Sequence, residues 1–138
     1  MEKEGFIPEG MEGLCEIYHH APAMRAGNIV WTSGQVGMKD SGEIPETFVE
    51  QAHVAFQNLK RVLEAAGACL DDIVELQTFY SADSAGFLEV KDQYLTHNYP
   101  AWTGLGVRRC GPPGNMLEIK AVAVIGSGRR VLPAVQQV

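Results

Sequence analysis

The sequence predicts an α+β fold in which a sheet of short strands carries helices on one face only. Three observations predict it. Runs of β-branched and aromatic residues occur at 29–32, 73–80 and 116–125, and two other segments place apolar residues at helical spacing. The two kinds of segment interleave, giving the order β-β-α-β-α-β-β.

Ile29-Val30-Trp31-Thr32 lies between Gly27-Asn28 and Ser33-Gly34, so it reads as a strand entered from a turn, with Ala23 to Ala26 as its hairpin partner. Pro45 stands where a first helical position would be. Apolar residues then fall at Ala52, Ala55, Leu59, Val62 and Ala66, one buried stripe that Gly67 ends. Ile73 to Tyr80 is a strand. A second helix is expected from about Ser84, with Asp83 or Ser84 as its cap and Phe87, Val90 and Tyr94 on one side. Trp102 to Arg109 and Met116 to Ile125 are expected to form a hairpin across Gly111-Pro112-Pro113-Gly114-Asn115. The sheet face without helices would then carry Trp31, Trp102, Met116 and Val122, an apolar face that implies self-association.

With 138 residues, 46% of them hydrophobic, the chain has the size of a single domain over 1–138, its core at about 16–125 and a flexible tail at 126–138. A net charge of −6 disfavours a nucleic-acid partner, whose phosphates need clustered Lys and Arg. Cys15, Cys69 and Cys110 are odd in number and widely spaced, as plain thiols in a reducing compartment would be. The charged start, Met1 to Gly5, precedes no apolar leader, and no run of roughly 18 apolar residues occurs. The expectation is a soluble cytoplasmic protein with no membrane partner.

Glu118 is the one carboxylate inside a strand-forming run, Leu117 to Ala123. It is either a site residue or half of a cross-strand ion pair with Arg108 or Lys120. In the hairpin register it would lie near Gly106. Ser33-Gly34 offers a hydroxyl and a glycine N–H to a ligand, or is simply a turn with a satisfied serine. His19 and His20 flank a strand, and His53 and His97 fall on separate helices. No Glu or Cys stands at ligand spacing from them, so no metal is expected. Gly104-Leu105-Gly106 is too short for a dinucleotide loop, and nothing reads as a phosphate-binding loop, so no cofactor is expected.

The segments Ala23 to Asn28, Ser33-Gly34-Gln35, Asn58 to Gly67, Asp71 to Val74 and Glu118 to Ala123 together resemble the Rid (YjgF) family of reactive-intermediate deaminases. The resemblance spans roughly residues 20 to 125. It implies a chorismate-mutase-like fold, a homotrimer with the sheets as an inner barrel, and small-molecule clefts between subunits. It also implies hydrolysis of enamines and imines, such as 2-aminoacrylate and its imine, to the 2-keto acid and ammonia. Under it, Glu118 orders the water and Ser33 is the cleft serine, with Gly34 beside it.

One departure matters. The family's carboxylate-gripping arginine is replaced by Trp102, and an indole cannot make the paired charge-assisted bonds of a guanidinium. Each such bond contributes about 1.5–3 kcal/mol. The cleft cysteine is replaced by Gly104, the usual tyrosine by His20, and an asparagine on the second helix by Lys91. Lys91 or Arg108 would supply the missing cation, or Trp102 would stack on an aromatic or cationic substrate that lacks the carboxylate, or it would simply fill the cleft as trimer-interface core. The expected catalytic pair is Glu118 and His20, and the expected substrate-binding set is Ser33, Gly34, Lys91, Trp102, Thr103, Gly104 and Arg108. The activity expected is hydrolysis of a C=N or enamine group other than the standard 2-imino acid. The other reading is a homotrimer that binds a small molecule without catalysis.

Overall fold

The strand at the centre of the sheet is the last one. The computed structural model describes residues 1–129, with β1 Lys3–Phe6, α1 Glu12–Tyr18, β2 Ala23–Ala26, β3 Ile29–Thr32, β4 Gln35–Val36, α2 Phe48–Ala65, β5 Ile73–Tyr80, α3 Phe87–Tyr94, β6 Ala101–Gly106 and β7 Leu117–Val124. The sheet order is β1-β2-β3-β7-β5-β6, with β4 also paired to β7. Along β7 the residues alternate strictly between buried and half-buried, so Leu117, Ile119, Ala121 and Ala123 face the helices while Glu118, Lys120 and Val122 face away.

Helix α2 supplies most of the opposing core. All five stripe residues expected from the sequence are buried, together with Phe56 and Leu63. The helix starts later than Pro45 suggests: Thr47 is the N-cap, its hydroxyl accepting from Glu50 N while Glu50 reaches back to the Thr47 N–H. Gly67 closes it with φ +88°. Helix α3 begins at Phe87 behind Gly86, not at a side-chain cap, and Asp83 instead accepts from Ala85 N within the preceding turn. His97 lies beyond the end of α3, not on a helix.

The expected hairpin of the last two strands does not form. β6 runs parallel to β5 at the sheet edge, and β5 separates it from β7. The segment β5-α3-β6 is a helical crossover, the connection that parallel strands require. The Gly- and Pro-rich stretch after β6 therefore crosses β5 as a long connection instead of making a tight turn. Glu118 consequently sits opposite Phe79 and Val36, not near Gly106. Parallel pairing of Trp102 with Leu76 also puts the indole on the helix-covered face, not on the open face. Trp31 and Val122 do share the open face.

Two N-terminal elements extend the fold below the expected core boundary at residue 16. β1 adds to β2 as an antiparallel edge, and α1 follows with Met11 buried before it. At the other end, Ser127 and Gly128 are bonded to Asp72, through the Ser127 hydroxyl to its carbonyl and the Gly128 N–H to its carboxylate at 3.0 Å. The start of the expected flexible tail is thus anchored, and residues 130–138 lie outside the described residues.

Gln51, 1% exposed, ties α2 to the β6–β7 connection. Its amide donates to Pro45 O (2.8 Å) and Gly114 O (3.0 Å) and accepts from Met116 N (2.9 Å). Gln51→Leu removes the partner of three backbone groups, those of Pro45 and Met116 half-buried and that of Gly114 exposed, and we expect a loss of about 1–3 kcal/mol by denaturant unfolding.

Burial alone would raise the Asp72 carboxyl, but backbone N–H groups of Gly128, Gly126 and Cys69 outweigh it and hold it below the ordinary carboxylate value. Its folded value lies below its unfolded one, so its stabilising effect is full above about pH 3.8 and vanishes as pH falls through the folded value. The stability difference between the protein and Asp72→Asn, measured by thermal unfolding, is expected to be constant from pH 5 to 7 and to shrink below pH 4.

Candidate functional site

Between β3 and β4 the chain leaves the ladder for two residues. Pairing with β7 stops at Trp31–Val122 and resumes at Gln35–Ile119. The Thr32 hydroxyl covers the gap by accepting from Ala121 N at 2.9 Å. Ser33 and Gly34 bulge out there. Ser33 is the satisfied turn residue: its N–H donates to Pro22 O (2.8 Å) and its hydroxyl to Ala21 O (2.7 Å). Those bonds fix the segment between α1 and β2 that carries His20, just after His19, whose φ of 54° turns the chain.

Gly34 does what no other residue could. A Cβ there would overlap the Glu118 carboxyl, so the glycine is what lets that side chain lie against the bulge. No hydrogen bond or ion pair holds the Glu118 carboxylate among the described residues, and the expected partners Arg108 and Lys120 do not reach it. Cys110, read from the sequence as a plain thiol, lies nearby, with Sγ 3.7 Å from Phe79 O. Burial pushes this thiol up, a Ser81 bond opposes that, and the Glu118 charge pushes it further up. It is a neutral neighbour of the carboxylate. The sequence hid this proximity because the long connection before β7 has no periodic signal.

His20 and Gly34 share the wall of a cavity of about 420 Å³. His20 Nδ1 is buried with no hydrogen-bond partner among the described residues. Glu118 reaches the cavity's edge at Gly34 and is not part of its lining.

A second group forms under α3 at the β6 edge. Trp102, 43% exposed, donates from Nε1 to Thr78 Oγ1 at 3.0 Å, and its ring packs 6.0 Å from Phe87. Lys91 Nζ sits 4.8 Å from the Trp102 centroid and 5.3 Å from that of Tyr99, while pairing with Asp92 at 3.2 Å. The Lys91 side chain is only 8% exposed. The cation over the indole is thus the chain's own lysine. Burial raises the Tyr80 phenol, against bonds from Thr78 and Trp102, so it stays neutral beside Thr78. A Cβ at Gly104 would come within 3.1 Å of the Tyr80 hydroxyl, which leaves little room for a cysteine. The Thr103 carbonyl accepts from Thr78 at 3.4 Å, and Arg108 is exposed beyond the strand.

The expected site residues therefore fall into two groups. Glu118, His20, Ser33 and Gly34 lie around β4 and the start of β7; Lys91, Trp102, Thr103 and Gly104 lie at β6. One strand separates β7 from β6, a spacing of roughly 10 Å, and the Glu118 and Trp102 side chains are on opposite faces. Within one chain they do not converge. No cluster of three His, Cys, Asp or Glu that could hold a metal occurs among the described residues, and no described helix is long and apolar enough to cross a membrane.

Comparison with known proteins places this arrangement. Residues 14–125 match the family model described as Endoribonuclease L-PSP. The chain is 33% identical over 129 residues to the RutC family protein YjgH of Escherichia coli K12, covering 91% of this chain and 97% of that protein. It is 35% identical over 104 residues to the putative reactive intermediate deaminase TdcF of the same organism, covering 71% and 80%. A solved structure of protein YJGH superposes with a TM-score of 0.81 at 32% identity, over 91% of this chain and 98% of that one. The mixed sheet is thus the chorismate-mutase-like α+β arrangement, and the chain belongs to the Endoribonuclease L-PSP family, also called the YjgF or Rid family.

Proposed function

We propose that the protein is a hydrolase of a C=N or enamine group in a small metabolite, acting in the cytoplasm as a single-domain homotrimer with its clefts between subunits. The observation that carries this is the unpaired Glu118 carboxylate held against Gly34, a residue that shares a cavity wall with His20. The name of TdcF supports the reaction class. The trimer follows from the division of the site: a β6 edge of one subunit brought to the Glu118 region of the next completes one cleft.

The reaction is R₂C=NH + H₂O → R₂C=O + NH₃. Glu118 accepts a proton from water as the water oxygen bonds to the imine carbon, and the C=N electron pair moves to nitrogen, which takes that proton from Glu118. His20 moves the hydroxyl proton of the resulting carbinolamine to nitrogen; the C–N bond then breaks, the carbonyl forms and ammonia leaves. Ser33 positions His20 through the Ala21 carbonyl. Trp102 is committed to Thr78 and lies under Lys91, and Lys91 is committed to Asp92, so neither grips a substrate carboxylate. Seventeen acidic residues against eleven basic ones argue against an RNA substrate, despite the family's description.

Glu118→Gln is expected to lower the rate of ammonia release from imines generated in situ by about 10²–10⁴-fold, with the thermal midpoint unchanged. Gly34→Ala pushes the carboxylate aside and should act in the same direction. Equal turnover by protein and Glu118→Gln, with tight ligand binding, would leave a non-catalytic binding protein. Sedimentation should give three times the 15.0 kDa chain mass.

A further inference from the structure

The cavity beside His20 is walled by a segment at the very start of the family match. The family model begins at residue 14, so Met11 precedes the match and Leu14 and Ile17 open it; these three, at and just before α1, form one side of the cavity, facing Val36 and Met38. The wall is fastened in place. Arg61 grips both Asp40 carboxylate oxygens (3.0 and 2.9 Å) and bonds the Glu9 carbonyl, and Met11 is 5% exposed beneath. At seven residues with none of them buried, α1 gains little from the core. Its apolar residues are placed to serve the cavity instead.

The charge of the lining is equally specific. Its one Lys or Arg is Lys39, which pairs with Glu43 at 3.3 Å, and its one acid, Asp40, is held by Arg61. The lining's lysine is thus already paired, and the polar side chains on its walls are His20, Gln35, Ser41 and Asn58. A volume of about 420 Å³ falls in the range of small-molecule sites, whose pattern is apolar walls with a few convergent polar atoms.

We infer that this cavity binds the apolar substituent of a neutral, carboxylate-free imine or enamine, with the N-terminal segment as its specificity wall. The inference rests on the hydrolase reading for the chemistry but not for the binding. The substituent lies against Leu14 and Ile17, the C=N nitrogen meets His20, and its carbon lies toward Gly34 and Glu118. The hydrolysis product is then an aldehyde or ketone without a carboxylate. A reaction that oxidises a primary amine to its imine is the class that supplies such a substrate.

Two stable oximes test this by calorimetric titration of the full chain: phenylacetaldehyde oxime and its carboxylated counterpart, phenylpyruvate oxime. They differ only in the carboxylate. The neutral oxime is expected to bind at least about ten-fold more tightly than the carboxylated one. The Leu14→Ser/Ile17→Ser double variant, changed only at helix positions outside the core, should lose about ten-fold or more in affinity for it. His20→Phe should weaken it as well. Equal or tighter binding of the carboxylated oxime, or undiminished binding by the double variant, would overturn the inference. Selective binding of the neutral oxime by a protein that releases no ammonia from any imine would leave the cavity assignment standing and remove the hydrolase.

Discussion

The pairing of β7 on both sides is the constraint on which the rest of the molecule depends. Because this strand lies between β3 and β5, its buried residues close the core against α2, and its outward residues are held at fixed heights on the open face. A one-residue slip would exchange Glu118 with Leu117 or Ile119, burying a charge and exposing a leucine or isoleucine. The cost of burying an unpaired carboxylate fixes the register, and the register places the carboxylate at Gly34. The same feature that specifies the sheet therefore positions the carboxylate.

Much of this was legible in the sequence, and the failures have physical causes. Local pattern sufficed where the element's own residues decide it: the 23–26/29–32 hairpin, the α2 stripe and the strand at 73–80 lie where periodicity places them. The partner of β6 was not legible, since a strand in which all six residues are exposed carries no alternation, and nothing local distinguishes a hairpin from a crossover. β1 and α1 were hidden for a related reason. Lys3-Glu4-Gly5-Phe6 has little strand propensity, and a seven-residue helix with no buried residue has no stripe to read.

For the site, the sequence register put Glu118 near Gly106, and the structure sets it against Gly34; Trp102 lies on the covered face and is bonded to Thr78. The indole, Lys91, Tyr99 and Asp92 form one closed group. Where the resemblance expects a guanidinium and an asparagine, this chain has Trp102 and a Lys91 that rests on it, so the positive charge there turns inward. On the proposed reading, that closed group and the apolar wall at the N-terminal segment together shift selection from charge toward hydrophobic contact.

The central claim is that the protein hydrolyses neutral imines in preference to imino acids. The most direct measurement compares kcat/KM for the imine that a flavin amine oxidase releases from 2-phenylethylamine with that for the imine an amino-acid oxidase releases from phenylalanine. The two substrates share the side chain and differ in the carboxylate. The account predicts a ratio of at least about ten in favour of the carboxylate-free imine. A ratio below one, with the imino acid preferred, would contradict it and return the site to anion recognition through a cation such as Arg108.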